Sequence, residues 1–569
     1  MAKPGDGEKD WDQHLRAISL SARDSSSSSD PSVDASLLKS VQILHKTCKN
    51  ENSGDLMARV YPQINRLFQR SLASPKFQSS ENGLLLLAIL QFFLDFGDIV
   101  LHDADPSLQS FFRLCLSRQF ADPIVAEATL SFLILNKEKI LSSFPGLLPQ
   151  FFPLLLKLIA WHGEKLEKSF LMVFPAMVAQ GSFLPLFPSL VDLPILVIAL
   201  EKVEKSSGSL IGSSIASMQK STAPEMLLAL MDEAYTGSSI EDRGADSGDE
   251  NDRSVDVADS LFLELLKDEN EGLSERHWTS TGIAASLQAA IGTRQSDRLR
   301  QSLHMSVRLL DVYFAIALEE VNDSLICALI PLLMTRHSTL FPDKNFIAEV
   351  RRSLLEFMLA AFQRSPGFIA ILKKPIIDRL GEAYDSSAKN ELALQLCWAI
   401  GEHGGGGTSH KDTARELFES LELLLYENIS SSRLGLGKDP TASMDETIFG
   451  KSSQARLLCF VITAIAKLAT CHRELLPRAR VCLAKVARSR SSLDMRVWRR
   501  ARDYLGLMNE PAICLSVLGP VSGCGPKPGT VNWSEGGSKM VAHIPFYLLN
   551  EQEGPPFHDF SFTDVFPGQ

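Results

Sequence analysis

Gly450-Lys451-Ser452 stands just ahead of a helical pattern and has the residue types that close a phosphate-binding loop. In such a loop glycine lets the backbone curl, lysine reaches a phosphate and the hydroxyl holds a magnesium ion. A second glycine is required five residues before Gly450, and Asp445 stands there, a carboxylate where phosphate would sit. Gly437-Lys438 fails in the same way, with Ser432 for the glycine and Asp439 for the hydroxyl. Leu227-Leu228-Ala229-Leu230-Met231-Asp232-Glu233-Ala234 imitates the acidic strand of an ATPase. Yet Pro224 and the apolar positions 226, 227, 230, 231 and 234 put it on an amphipathic helix, N-terminal to the loop it should follow. Ser452 is therefore expected to cap a helix, and Asp232-Glu233 to form a solvated face.

Other chemistries find less. His403 and His410 are the closest histidines, flanking Gly404 to Gly407 with no metal-binding helix beside them. There is no Gly-x-Ser-x-Gly elbow, and no Cys-His pair has an orienting partner. Glu319-Glu320 lies at a helix end on a polar face. The expectation is a non-enzyme, with no catalytic residue, no cofactor and no metal.

Helices must carry whatever function there is. The 569 residues are 45% hydrophobic and 22% charged, which is globular composition. A net charge of −11 opposes a dedicated nucleic-acid binder. Nine cysteines without a Cys-x-x-Cys read as reduced thiols. The polar opening lacks a signal-peptide core, and the apolar run 84–94 is shorter than the roughly 18 residues a membrane span needs. A soluble, cytoplasmic chain is expected.

Apolar residues recur at three-to-four spacing through most of 35–508, as at Leu37, Leu38, Val41, Leu44 and Cys48. Asp105-Pro106 and Asp122-Pro123 each predict an N-cap followed by a proline at the first helical position. Short helices in such numbers predict an all-α fold, an irregular α-solenoid of HEAT- or armadillo-like pairs about 40–47 residues long. The predicted divisions are a disordered Ser-rich leader (1–34), solenoid (35–236), an acidic linker (237–260), solenoid (261–508) and a Pro/Gly-rich tail (509–569). Within the linker, Ser247 with Glu250 fits an acid-directed kinase or no modification at all. Loops are predicted at 403–412 and 428–453.

Two segments could recruit partners. Residues 473–502 hold ten Lys/Arg against Glu474 and Asp494, and Arg496, Arg499 and Arg500 fall on the polar face of the last helix. The block is either a solvated face or a dock for an acidic partner or anionic lipid, with nucleic acid the weakest fit. The tail concentrates six aromatics in 541–569 and ends in Phe562-Thr563-Asp564-Val565-Phe566. Exposed aromatics are unfavourable, so the tail either docks back on the solenoid or presents Phe562, Asp564 and Phe566 to a partner.

Leu396-Cys397-Trp398-Ala399-Ile400-Gly401-Glu402-His403 resembles the Trp-x-x-Gly-Glu-aromatic signature of adaptor large chains. In that signature the Trp is core, the Gly allows close helix packing and the Glu ends the apolar run; here His403 replaces the aromatic. Segments 158–161, 174–176 and 191–196, and the tail from Ile544-Pro545-Phe546-Tyr547 to Phe560, resemble the zeta subunits of the fifth adaptor protein complex. The resemblance implies a non-enzymatic trunk in endosomal sorting and vesicle-mediated transport, assembled with a beta large chain, a medium chain and a small chain. It further implies peripheral attachment to late endosomes or lysosomes and association with spatacsin- and spastizin-like proteins. The family's alternative is a nucleic-acid-dependent ATPase or helicase in DNA repair, acting in the nucleus; the failed loops above speak against it.

Overall fold

The computed structural model describes residues 7–23, 31–73, 80–207, 296–337, 340–383, 390–404, 411–434, 444–489 and 493–510, with Cys514 and Leu518. Every regular element among them is helical. The 224–235 pattern, the acidic linker with Ser247, Gly437-Lys438, His410 and the tail with Phe562, Asp564 and Phe566 lie outside the described residues. Contacts divide the chain into two compact units, residues 1–316 with 340–347 and residues 317–339 with 348–569.

The first unit opens with α1 (Gly7–Arg23), α2 (Pro31–Glu51), α3 (Gly54–Ala73) and α4 (Ser80–Val100). Within the span 1–34 predicted as a disordered leader, residues 7–23 and 31–34 are helical. Residues 7–23 are amphipathic, bury Ile18 completely, and pack α1 on α2 and α3. α4 is the core helix, with Leu85, Leu86, Ile89, Leu90 and Phe92 at 0% exposure. α4 and residues 454–471 are long and apolar enough to cross a membrane, but 56% and 78% of those windows is buried within the fold.

Next come α5 (Asp105–Ser110), a π-helical turn (Phe111–Leu116), α6 (Ser117–Gln119) and α7 (Pro123–Leu135). Asp122 caps α7 as predicted, its carboxylate accepting from Ile124 N–H at 2.9 Å and Val125 N–H at 3.3 Å. Asp122→Ala should lower unfolding free energy by about 1 kcal/mol, read as a shifted denaturant midpoint. At α5 the prediction moves by one residue. Ala104 is the N-cap, and Asp103 accepts from the Asp105 N–H. The unit continues through α8 (Lys137–Ser143), α9 (Leu147–His162), α10 (Glu164–Val173), α11 (Phe183–Val191) and α12 (Leu193–Ser207).

The next described helix, α13 (Asp297–Glu320), packs back on these. Ser306 Oγ donates to the Leu190 carbonyl at 2.6 Å, and Tyr313 OH to the Phe183 carbonyl at 2.8 Å. Arg308 pairs with Glu167 at 2.6 Å. The division between units therefore falls within α13, not at the predicted linker.

The second unit holds α14 (Asp323–Arg336), most of α15 (Lys344–Arg364), α16 (Phe368–Ile371), α17 (Lys373–Glu382), α18 (Asn390–His403), α19 (Lys411–Leu434), α20 (Met444–Cys471), α21 (Leu476–Arg488) and α22 (Met495–Met508). The loop predicted over 428–453 shrinks, because α19 runs to Leu434 and α20 starts at Met444. Ser452 is therefore an interior residue of α20 and not its N-cap.

Polar ties between neighbouring helices expose the repeat that sequence identity hides. In the first unit four of them join residues 41–45 apart: Tyr61 to His102, Ser80 to Asp122, Asp95 to Lys139 and Gln91 to Asn136. In the second unit Asp323–Ser365, Thr335–Arg379, Lys373–Glu416 and Thr463–Tyr504 are 41–44 apart. That separation is the length of a HEAT or armadillo unit. These helices meet a partner one repeat on, as in a solenoid.

His337 ends α14 fully inside the second unit, at 3% exposure. Burial, and then the Arg351 guanidinium, push its pKa down to about 3. Because the folded pKa lies below the unfolded one near 6.5, this stabilisation is complete above about pH 6.5 and is lost as pH falls toward 3. Unfolding followed from pH 7 to pH 4 should show this loss, and His337→Leu should flatten it.

Candidate interaction site

α18 carries the tryptophan signature and lies along α20. A side-chain carbon at Gly401 would come within 3.3 Å of the Ala464 Cα, so α18 and α20 approach closely there and a larger residue would crowd the contact. The next residue, Glu402, forms a buried ion pair with Lys467 of α20 at 8% and 2% side-chain exposure. The expectation that Glu402 merely ends an apolar run is corrected: it neutralises a lysine embedded in the core. Trp398 is half-buried, not fully core as expected. Its indole meets His403 edge-on at 6.1 Å between ring centres, so His403 fills the signature's aromatic position.

α21 and α22 form an antiparallel hairpin carrying the basic block. Trp498 Nε1 donates to the Ala487 carbonyl at one end and Arg480 to the Met508 carbonyl at the other. Much of the positive charge is spent inside the protein. Arg478 pairs with Glu419 at 2.9 Å and Glu422 at 2.5 Å on α19. Burial would raise the Glu422 carboxyl, but bonds from Cys482, Arg478 and Tyr426 hold it below its ordinary value. Lys485 donates to Tyr426 OH and lies 4.2 Å over its ring.

The three predicted arginines part company. Arg499 is exposed, Arg496 is half-buried and paired with the capping Asp494 at 3.1 Å, and Arg500 is buried at 7% exposure. Placing Arg500 on the polar face is corrected, because α22 packs against both α20 and α21 and buries more than one stripe. The missed feature is a groove of about 450 Å³ between α21 and α22. It is lined by Ala484, Ala487, Arg488, Trp498, Arg502 and Leu505. Its signal was the pairing of small residues on one helix with a tryptophan on the next.

The candidate chemistry of the sequence is not assembled among the described residues. Gly450-Lys451-Ser452 lies inside the continuous helix α20, where no phosphate loop can form. Burial pushes the Cys48 and Cys115 thiols up to about 11 and about 12, leaving them protonated. Among the described residues no group of three or more His, Cys, Asp and Glu side chains is placed to hold a metal.

Two family models match. Residues 32–157 match one described as AP-5 complex subunit, vesicle trafficking, and residues 258–527 match one described as AP-5 complex subunit zeta-1, C-terminal TPR repeats. The chain is 25% identical over 507 residues, 87% of its length, to AP-5 complex subunit zeta-1 of Mus musculus. It is 25% identical over 499 residues, 85% of its length, to the protein of that name from Homo sapiens. It spans 57% and 56% of those curated relatives' own lengths. No solved structure matches.

Proposed function

The chain belongs to the AP-5 complex zeta-subunit family, and from that premise we propose that it is a non-enzymatic trunk subunit of an adaptor-type complex in vesicle trafficking. The observation that carries this reading is the agreement of two family models, together covering most of the chain, with an all-helical repeat stack. A solenoid offers long faces for other subunits, here a beta large chain, a medium chain and a small chain. It works at the cytoplasmic face of late endosomes or lysosomes, and its associates are spatacsin- and spastizin-like proteins; the family resemblance supports these finer assignments. The nucleotide-driven alternative lacks a phosphate loop in α20.

Affinity purification of the full chain followed by mass spectrometry tests the proposal. The beta, medium and small chains should co-purify. Their absence, or ATP hydrolysis by the purified chain, would overturn it. The basic hairpin gives a finer prediction. Arg499→Glu, at an exposed position, should weaken recruitment to membranes or partners with an unchanged melting temperature. Arg500→Glu buries a reversed charge and should lower stability as well.

A further inference from the structure

The hairpin groove has two walls with distinct chemistry. Ala484 and Ala487, three residues apart on α21, are too small to fill the space facing α22. Trp498, Arg502 and Leu505 stand at i, i+4 and i+7 on α22 and form the opposite wall. The wall is held in place, because the indole donates to the Ala487 carbonyl and the Arg502 guanidinium lies 4.8 Å over the ring. Val481 and Met495, 55% and 42% exposed, share these helical faces and lengthen the apolar stripes. Arg488 and Arg502 are exposed at the rim. The site is thus a shallow, open depression of about 450 Å³, part apolar and part polar in its lining, with two arginines at its rim. It fits a short peptide that offers aromatic rings together with carboxylates.

This chain contains such a segment. Residues 541–569 carry Glu551, Glu553, Asp559 and Asp564 with no lysine or arginine. In Phe557-His558-Asp559-Phe560-Ser561-Phe562-Thr563-Asp564-Val565-Phe566, rings and acids alternate within ten residues. About fifty residues separate Met508, at the end of the hairpin, from Phe557, a contour of over 100 Å that reaches any part of the groove. Tethering also raises the local concentration of the segment to the order of 1 mM, so even a weak site fills.

We propose that the α21–α22 groove is the docking site of the chain's own residues 557–566, with phenyl rings against Trp498, Ala487 and Leu505 and Asp559 and Asp564 toward Arg488 and Arg502. The proposal goes beyond the adaptor assignment and does not rest on it. It unites two features that the sequence offered separately, the basic block and the aromatic tail.

The test uses the full chain, purified alone, with a photoreactive benzoylphenylalanine in place of Phe562. Irradiation and peptide mapping should place the cross-link within one chain, on residues 484–505. Arg488→Glu with Arg502→Glu should reduce it about tenfold, the factor carried by two exposed ion pairs. Asp559→Arg with Asp564→Arg should lower the yield equally, and because it leaves the hairpin untouched it tests the charge pairing without risk to folding. Combining both pairs of reversals should restore the link. A cross-link to another part of the chain, to a second copy or to nothing would overturn the proposal. So would a link to the groove that neither pair of reversals weakens.

Discussion

Lys467→Ala lowers the stability of the chain by about 3–5 kcal/mol, the expected result of stranding Glu402 inside the α18–α20 interface. The lysine side chain is 2% exposed and its partner 8%, so neither charge has water to fall back on. Glu402→Ala should cost a similar amount for the reciprocal reason. Replacing both, Lys467→Met with Glu402→Met, removes two buried charges together and should recover most of the loss. Chemical unfolding of the four proteins forms a double-mutant cycle with a large coupling energy. If the single and double variants lose equal stability, the pair does not hold the helices. The same lesion should lower the yield of co-purifying subunits, because a loosened α18–α20 contact disorders the trunk they would assemble on.

Tyr313 gives the second large effect. It is fully buried on α13, stacks on Phe183 at 5.1 Å between ring centres, and donates its hydroxyl to the Phe183 carbonyl. Tyr313→Ala should cost about 3–5 kcal/mol, from lost apolar burial and the cavity left behind. Tyr313→Phe isolates the hydrogen bond and should cost about 1 kcal/mol, since the Phe183 carbonyl, at the start of α11, keeps its place in the helix's own bonding. A phenylalanine variant as stable as the parent would mean that the hydroxyl contributes nothing. Because α13 follows the acidic linker in sequence but ties to α10 and α11 of the first unit, both variants should destabilise the first unit before the second.

Local periodicity made the helical fold legible. The helical periodicity of Leu37 to Cys48 and the cap at Asp122 were in their predicted places, because each depends on residues within a few turns. The tryptophan signature was also legible, and the structure places Gly401 at a close approach of α18 to α20. The sequence misled where local composition was polar but the helix had neighbours, as in α1 and at the two ends of the predicted 428–453 loop. In α1 and at the 428–434 end of that loop, burial of Ile18 and Ile429 accompanies the helix that the polar pattern hid.

Charge was where the chain alone told least. Arg500 reads as a polar-face residue and nothing in the sequence singles out Lys467, yet both are buried, because α20 meets α18 and α22 meets both α20 and α21. A single helix dictates its own apolar stripe; how many stripes become covered depends on how many helices pack around it. The partners that decide this lie 41 to 65 residues away, as with Thr463–Tyr504 and Glu402–Lys467. The sequence by itself thus determined the helices, their caps, and a family signature carried by consecutive residues. Only the tertiary structure decided which charges are neutralised inside and which remain at the groove, because burial and ion pairing arise between helices brought together by folding.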